Sequence, residues 1–495
     1  MHRRTFLLGG GLATAGAVVG YKSFNTPSID MADLATREHL RFPNIIDASI
    51  TGKIPLRAQA GNTEFYKGIP SKTLGFNQDY LGPVVKLRNG DYQADVTNTT
   101  DQPISVHWHG LIIPGSADGG PHQVVQPGQN WRPEFEIKQA PSTPWFHTHV
   151  HGQTASGVYA GLAGGMIISD GLDDQRGLPS NYGVDDLYLI LQDKTFDASG
   201  RMIYRPGMDS MMHGFSGDSI IVNGQMNTVA NVPKGIVRMR LLNGANARVF
   251  SLSFSDNRPM HLIATDGGYL DKPKDLSELR LAPGERAEIL VDFADGNPAM
   301  LTSLPDANSG MGGMMGRFQK FANKVGTPFE VLSFAVTRQS PINITKIPDD
   351  LGGTMPDLNK SDVMTNRKFS LEMEMGHGMK SGGMMGSAMA INGRSFDMSR
   401  IDIEAKVGKL EKWKITAPLL AHPFHIHGAI FQVISENGNA PRAENTGWKD
   451  TVLVNQGAEI LVQFNQPTDE NSPFMYHCHI LEHEDQGMMG QFTVL

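Results

Sequence analysis

Cysteine is nearly missing from this sequence, because Cys478 is the only one among 495 residues. A single cysteine excludes an intramolecular disulfide, so Cys478 is either an unpaired thiol or a metal ligand. Charged residues are also scarce at 19%, the net charge is −8, and no block of Lys or Arg stands out. A nucleic-acid partner is therefore not expected, since such a partner requires a basic surface.

The N-terminus has the features of an export signal and lacks those of a membrane span. His2, Arg3 and Arg4 precede a Gly/Ala-rich apolar stretch that ends near Gly20 and is too short to cross a bilayer. Arg-Arg followed by x-Phe-Leu resembles a twin-arginine signal, whose machinery exports proteins already folded. We predict that residues 1–30 are such a signal and that the protein is periplasmic, with an ordinary Sec signal or a processed anchor as the alternative.

The chain is too long for one hydrophobic core, and 40% hydrophobic residues fit a globular protein of several domains. Near residues 90, 237 and 411 the same order recurs: an alternating strand, a polar break, a second strand and, further on, a Gly turn with another strand. This pattern predicts antiparallel β-sandwiches. We predict three all-β domains at 40–172, 173–338 and 339–495, the middle one being a spacer because it has no His-x-His.

Four short motifs contain 11 of the 17 histidines, ten of them at predicted ligand positions. In an extended strand, residues two apart point to the same face, so each His-x-His directs two imidazoles into one volume. Four such pairs supply eight nitrogen ligands, a number that suits three copper ions. The motifs are His107-Trp-His109-Gly, Trp145-Phe-His147-Thr-His149-Val-His151-Gly, His422-Pro-Phe-His425-Ile-His427-Gly and His477-Cys478-His479-Ile-Leu-Glu-His483-Glu-Asp-Gln-Gly-Met488.

The fourth motif predicts a second, different metal site. Cys478 points away from the face that its two neighbours share, and His422 lies an odd number of residues before the other histidines of its motif. His483 and Met488 follow Cys478 at five and ten residues. Two histidines, one thiolate and a weak Met ligand form a blue-copper electron-transfer site. Cys478 would then link the two sites through its own backbone.

The order and spacing of the four motifs resemble those of three-domain multicopper oxidases, the laccase family, over essentially the whole exported chain. The C-terminal HCHILEHEDQGMMG is most similar to bacterial periplasmic cuprous oxidases of the copper-efflux type. The resemblance implies three cupredoxin-like Greek-key β-sandwiches, four copper ions and reduction of dioxygen to water. It also implies these ligands: His107 and His425 for type 2 copper; His109, His147, His149, His427, His477 and His479 for the type 3 pair; and His422, Cys478, His483 and Met488 for type 1 copper.

Two alternatives to an active copper site are weakened by the residues. Zinc does not favour a thioether, and eight converging imidazoles exceed an ordinary zinc site. A relative that kept the fold and lost copper, as cell-division members of the family have, should show broken motifs, and none is broken here. We expect His151 to contact the site without binding metal. The remaining histidines that we single out are expected to be ordinary ones: His122, His213, His261 and His377.

Reduction of dioxygen to water consumes four protons as well as four electrons, so carboxylates are expected beside the trinuclear site. The resemblance places Asp118 and Glu484 at positions where the family has acidic residues that relay protons. The alternative for either residue is an ordinary loop or capping carboxylate. We predict a proton-relay role for both.

The four motifs do not identify the electron donor, but the methionines bear on it. Met-rich clusters lie near residues 208–212 and 311–315 and in a predicted exposed loop at about 373–389, whose soft sulfurs suit cuprous ion. In the cuprous oxidases that this sequence resembles, an acidic residue and a Met precede the third motif, whereas here the segment is Pro418–Ala421. The substrate copper site is therefore either absent or rebuilt from the loop residues Met373, Met375, Met379, Met384 and Met385.

The sequence thus predicts a monomeric oxidase that uses dioxygen and cuprous ion in copper tolerance. Without a substrate copper site, the exposed edge of the type 1 site could instead accept a small aromatic donor such as a phenol, as a laccase does. A third hypothesis is a copper-storage protein that uses its Met clusters without turnover.

Overall fold

The computed structural model describes residues 29–304, 328–337, 344–374 and 388–495. Strands account for 48% of the structure and helices for 8%, so the predicted all-β class is confirmed. The predicted export signal lies outside the described residues except for its last two positions. So do His377 and the Met cluster at 311–315.

The first β-sandwich packs a four-stranded sheet, ordered β1-β4-β9-β8, against a sheet ordered β3-β2-β5-β6 with β7 also paired to β5. Its alternating strands bury one face, as β2 shows with the pattern of exposed and buried residues over Lys53–Ala58. The nine strands are β1 (Ile45–Asp47), β2 (Lys53–Tyr66), β3 (Ile69–Phe76), β4 (Val84–Leu87), β5 (Gly90–Asn98), β6 (Asn130–Trp131), β7 (Glu134–Ile137), β8 (Trp145–His147) and β9 (Ala163–Ile168).

The second β-sandwich has the largest continuous core. Its sheets are ordered β11-β10-β14-β19-β16-β17, with β12 beside β10, and β13-β21-β20-β15-β18. Leu40, which precedes β1, is buried in this core and hydrogen-bonds Val229. The strands are β10 (Asp186–Phe196), β11 (Met202–Ile203), β12 (Ser219–Val222), β13 (Val229–Pro233), β14 (Ile236–Asn243), β15 (Phe250–Phe254), β16 (Met260–Thr265), β17 (Gly268–Leu276), β18 (Leu279–Leu281), β19 (Arg286–Asp292), β20 (Ala299–Leu304) and β21 (Phe329–Thr337).

The third β-sandwich is organised by one long strand, β25, which pairs with β22, β27 and β28. The register of β25 against β27 breaks between Ala417 and His422, so Pro418–Ala421 bulges out of the ladder. The strands are β22 (Thr365–Glu374), β23 (Ala388–Ile391), β24 (Ile403–Ala405), β25 (Leu410–Ile426), β26 (Phe431–Glu436), β27 (Thr451–Gln463), β28 (Phe474–Cys478) and β29 (Met489–Val494).

Helices are short and serve as connections. None of the described helices is long and apolar enough to cross a membrane. Three single-turn 3-10 helices lie at Gly115–Ala117, Lys360–Asp362 and Ala443–Asn445. The α-helices among the described residues are α1 (Met31–Leu34), α2 (Ala48–Thr51), α3 (Thr154–Ala160), α4 (Met208–His213) and α5 (Leu481–Asp485).

The Met-rich loop that we predicted over about 373–389 is shortened at both ends, because strands extend into it. β22 runs to Glu374 and β23 begins at Ala388, and Met373 is paired directly with Met389. Both side chains are buried in the core of the third sandwich, because thioethers fill an apolar core as well as an aliphatic chain does. The methionines between them, Met375, Met379, Met384 and Met385, lie outside the described residues.

Candidate metal centres

Eight histidines from the first and third sandwiches meet in one buried pocket. On the first sandwich, His107 forms a β-bridge with His147, and on the third, His425 pairs with His477 between β25 and β28. The two sides meet ring to ring, since His107 stacks on His427 and His109 on His425, each pair with centroids 3.7 Å apart. The side chains in this pocket, here called the histidine pocket, are at most 1% exposed: His107, His109, His147, His149, His425, His427, His477 and His479.

The histidine pocket contains several sets of nitrogens close enough to share an ion. Ligand atoms within 4.8 Å of one another occur in three all-histidine triads. The predicted type 2 pair, His107 and His425, belongs to one triad, while His479 lies within ring-centroid distances of 5.1 Å from His109 and 5.4 Å from His147. The triads are His107, His425 and His427; His107, His109 and His147; and His149, His427 and His477.

The hydrogen bonds of the histidine pocket leave nitrogens without a protein partner, as a metal site requires. Nδ1 of His107 contacts the carbonyl of Asp118 at 3.1 Å, and Nδ1 of His425 contacts that of Asp450 at 2.9 Å. The Nε2 atoms of these two histidines, and of His147, are buried with no hydrogen-bond partner. Buried polar atoms are normally satisfied, so the orphaned nitrogens fit a bound cation.

Burial also prepares these imidazoles to bind metal. It lowers the pKa of His147, His425 and His427 well below the ordinary value, with neighbouring imidazoles adding to the effect. Burial likewise lowers the pKa of His149 to about 4 and that of His479 to about 3. The neutral ring is the form that ligates copper, so no proton has to be displaced at neutral pH.

Both predicted acidic residues lie against the histidine pocket. The Oδ2 atom of Asp118 accepts a hydrogen bond from Nδ1 of His427 at 2.7 Å and lies 3.4 Å from Nδ1 of His107. Glu484 has Oε2 3.2 Å from Nδ1 of His477 and Oε1 3.5 Å from Nδ1 of His149. Burial alone raises the pKa of Glu484, but the facing imidazoles outweigh burial and hold that pKa below the ordinary value.

A second site, here called the cysteine pocket, lies within the third sandwich. The Sγ atom of Cys478 is 3.4 Å from Nδ1 of His422 and 3.7 Å from Nδ1 of His483, and the two Nδ1 atoms are 3.2 Å apart. Met488 is fully buried, and its carbonyl accepts a hydrogen bond from the amide of Cys478 at 3.0 Å. The backbone amide of Ile480 donates to the sulfur at 3.3 Å.

The chemistry of the cysteine pocket fits a soft metal ion. Burial raises the pKa of Cys478 and lowers the pKa of His422 to about 4. The empty pocket therefore favours a neutral thiol and a neutral imidazole, and a cation must stabilise the thiolate. A thiolate and two imidazoles, with Met488 buried in the same core as Cys478, suit copper better than zinc.

The other histidines that we singled out and that the structure describes lie outside both pockets. His151 is exposed, with its ring 5.0 Å from that of Phe396, so it does not line the histidine pocket. Nε2 of His122 contacts the side chain of Gln491 at 2.8 Å. His213 is paired with Asp209 and His261 with Asp275.

The second sandwich contributes to both pockets, which the sequence did not reveal. Arg286 of β19 pairs with Asp450, and Asp450 in turn contacts His109 of the histidine pocket. No periodicity marks these two residues, because a buried ion pair between distant strands becomes visible only in the folded chain. The sequence signal was one acid, Asp450, directly before the apolar run Thr451–Val454.

Helix α4 reaches the cysteine pocket from the second sandwich and carries one of the three Met clusters. Nε2 of His483 donates to the carbonyl oxygen of Met212 at 3.2 Å, and Gln486 donates to that of Met211 at 3.1 Å. Met208, at the start of α4, is 73% exposed. The bulge at Pro418–Ala421 is partly exposed and contains neither an acid nor a methionine.

Comparison with known proteins gives one consistent result for the family. Models described as multicopper oxidase match residues 57–172, 178–317 and 368–495. The multicopper oxidase Mco of Staphylococcus aureus is 36% identical over 470 residues, covering 92% of this chain and 93% of that protein. The cell division protein FtsP of Dickeya dadantii is 36% identical over 495 residues, covering 100% of this chain and 98% of that protein.

Solved structures agree with the fold. A bacterial laccase-like multicopper oxidase CueO from Ochrobactrum sp., described as active on lignin model compounds and lignosulfonate, is 41% identical with a TM-score of 0.83. The match covers 92% of this chain and 100% of that one. The McoA multicopper oxidase of Aquifex aeolicus is 32% identical with a TM-score of 0.80, covering 93% and 99%. The predicted cupredoxin-like class with three domains is thereby confirmed.

Proposed function

Because this chain belongs to the multicopper oxidase family, we propose that it oxidises a donor one electron at a time at the cysteine pocket and reduces dioxygen to water at the histidine pocket. Four copper ions would be held by the twelve residues assigned above. Bound copper would supply the one-electron redox chemistry in both pockets, and the binding of dioxygen in the histidine pocket. The supporting observation is that two compact, buried ligand sets meet at β28, where His477 and His479 flank Cys478.

The residues around the pockets fit the remaining requirements of this reaction. Asp118 and Glu484 are 1% exposed and contact ligand imidazoles, so each is placed to pass a proton to the histidine pocket. The paired strands of the two sandwiches exclude bulk water, since the eight imidazoles are buried. The backbone between Cys478 and its two neighbours offers a covalent path for electrons between the pockets.

We propose cuprous ion as the principal donor, in the service of copper tolerance. The supporting observation is α4, because its backbone contacts His483 and its side chains include Met208, Met211 and Met212. Thioethers are soft ligands that suit cuprous ion, so α4 can collect the donor beside the imidazole at the edge of the cysteine pocket. The Arg3-Arg4 signal favours a periplasmic site of action, reached through the twin-arginine machinery.

A phenolic or other organic donor is the second candidate. The bulge at Pro418–Ala421 offers no ligand for a substrate ion, and the Ochrobactrum relative acts on lignin model compounds. Similarity to FtsP raises a non-catalytic role as a third candidate. All twelve positions of the two ligand sets carry residues able to bind copper, which favours turnover.

Oxygen uptake by the copper-loaded protein separates these candidates. We expect fast uptake with cuprous ion and slower uptake with a methoxyphenol. Replacing Met208 and Met211 by Leu should raise KM for cuprous ion at least about tenfold, equivalent to about 1.4 kcal/mol of lost binding, with little effect on the phenol. Met364→Leu is the matched control, because Met364 is 69% exposed but lies at the start of the third sandwich, outside α4.

The other outcomes are equally informative. Fast phenol oxidation with slow cuprous oxidation would favour the second candidate and remove α4 from the proposal. An unchanged KM for cuprous ion in the double variant would also remove α4. Full copper loading without uptake on any donor would refute the oxidase function.

A further inference from the structure

One ring in the histidine pocket is turned the opposite way from five of its neighbours. Five of the eight rings contact acceptors through Nδ1, which directs Nε2 towards the centre. His109 instead contacts the carboxylate of Asp450 through Nε2 at 3.0 Å. Its Nδ1 is buried without a hydrogen-bond partner. For His109, therefore, Nδ1 is the atom available to a metal.

The carboxylate that holds His109 is itself held by three hydrogen bonds from two side chains. Nη1 of Arg286 donates to Oδ1 of Asp450 at 2.7 Å, and Nη2 donates to Oδ2 at 2.6 Å. The hydroxyl of Thr451 donates to Oδ1 at 2.9 Å. Arg286, Asp450 and His109 are each at most 1% exposed. A two-pronged guanidinium–carboxylate pair fixes both the position and the plane of the carboxylate.

Arg286 is fixed in turn by backbone carbonyls, so the pair has little freedom to adjust. It donates to the carbonyl oxygens of Thr143 at 3.1 Å and Gly284 at 3.0 Å. Gly110, next to His109, leaves room for the guanidinium of Arg286. It has φ +92°, and a Cβ at this position would lie 2.6 Å from Nη2 of Arg286. A side chain at this position would displace the guanidinium.

We propose that Asp450 and Arg286 are positioning residues that fix the tautomer and orientation of His109, so that it presents Nδ1 to the type 3 copper pair. The three residues come from three different sandwiches, so the second sandwich takes part in building the oxygen-reducing site. Arg286 also compensates the charge of Asp450, which keeps the carboxylate a partner of His109 and not an additional ligand.

The inference rests on the copper site of the proposed function, and a crystal structure of the copper-loaded wild-type protein tests it first. We expect Nδ1 of His109 to face copper and Nε2 to contact Asp450. Copper bound by Nε2 of His109, or by Asp450 itself, would overturn the inference. Wild-type protein that binds no copper would instead refute the proposed function.

The variant Asp450→Ala tests the energetic role. Removing such a partner commonly lowers metal affinity or activity by about 10–100-fold. We expect fewer than the wild-type number of copper ions per chain and a larger fraction of copper visible by electron paramagnetic resonance, since an incomplete type 3 pair is no longer coupled. KM for the donor should stay unchanged, because the donor binds at the other pocket. Unchanged copper content and spectrum would overturn the inference.

Two further variants guard against a purely structural effect. Asp450→Asn keeps the volume and one acceptor oxygen, so it should restore copper content at least in part and is the variant to measure if Asp450→Ala does not fold. An Asn variant indistinguishable from an equally folded Ala variant would count against orientation by hydrogen bonding. Asp193→Ala is the matched control, because it breaks a buried 2.7 Å pair with Arg248 that contacts no candidate ligand. It should lower stability and leave the resonance spectrum of the copper unchanged.

Discussion

The two pockets lie side by side, but different kinds of residue surround them. The histidine pocket is lined by groups from the first and third sandwiches, with outer nitrogens held by carbonyls and by Asp118 and Asp450. In the cysteine pocket, Cys478 and Met488 belong to the hydrophobic core of the third sandwich. Polar surroundings suit a site that must transfer protons, whereas apolar surroundings suit a site that transfers only electrons.

The difference also indicates where each pocket is vulnerable. Ligands of the histidine pocket depend on hydrogen bonds that cross domain boundaries, so single polar substitutions far along the chain can disturb it. The cysteine pocket depends on close packing within one domain and has one polar contact from the second sandwich, between His483 and Met212. Substitutions that separate the two pockets test this comparison directly.

The largest effect is expected from Cys478→Ser, which should empty one pocket and leave the other. Serine lacks the soft thiolate, so type 1 copper should be lost together with the visible colour, and turnover should fall below detection with every donor. Copper analysis should find three ions per chain in place of four, because the eight imidazoles are untouched. Retained colour would refute the assignment of Cys478, and loss of all copper would show that the pockets are not independent.

Replacing the two carboxylates should slow turnover and leave copper in place. Asp118→Asn and Glu484→Gln keep the shape but cannot exchange a proton in the same way, and loss of positioned proton transfer typically costs about 10²–10⁴-fold. The activity should fall more steeply with rising pH than in the wild-type protein, as protons become limiting. Asp402→Asn is a control, since Asp402 lies directly before β24 of the third sandwich and pairs with Arg400. Normal rates in both variants would mean that these acids are only structural.

Much of this site could be predicted from the sequence because its signals are local. A His-x-His in a strand fixes the relative direction of two rings, and the spacing from Cys478 to His483 and Met488 lies within one short segment. The ten candidate histidines and Cys478 thus form two compact clusters, and Met488 lies in the same core as Cys478. Whether they hold copper as assigned stays a prediction that metal analysis must test.

What the sequence could not predict depends on residues brought together only by folding. Arg286 and Asp450 are 164 positions apart, and neither has a periodicity or motif of its own. Helix α4 looked like one Met cluster among three, and only its contact with His483 distinguishes it. Met373 appeared to belong to an exposed loop because Met and Gly alternate there, whereas its pairing with Met389 places it in a buried strand. The domain boundaries and the export signal stay predictions.

Acid should destabilise the copper-free protein through both pockets. The pKa of His149 and that of His422 are lowered to about 4 by burial, below the value of about 6.5 expected in the unfolded chain. The contribution of these two histidines to the free energy of unfolding is therefore fully present above pH 6.5. It is lost as the pH falls towards 4, because the unfolded state binds protons first. Each should cost about 3 kcal/mol over this range.

Urea unfolding of copper-free protein at pH 7 and pH 4.5 measures this loss. His149→Gln should reduce the acid-induced change by most of one histidine's share, whereas His151→Gln should reduce it less, since burial lowers the pKa of the more exposed His151 to a smaller extent. Equal behaviour of the two variants would show that burial does not hold His149 in its neutral form. His422→Gln repeats the comparison in the cysteine pocket.

The smallest effect is expected from Met488→Leu, which tests how far the apolar pocket tolerates a missing ligand. Leucine fills nearly the same volume, so the cost in folding free energy should be below about 1.5 kcal/mol. His422, Cys478 and His483 can still hold type 1 copper, and the colour should persist. A weak thioether stabilises the cupric state, so its loss should raise the reduction potential and change turnover less than about tenfold. An unchanged potential would mean that Met488 only packs the core. The cysteine pocket would then depend on packing even more, and the histidine pocket on hydrogen-bonded ligands, than we propose.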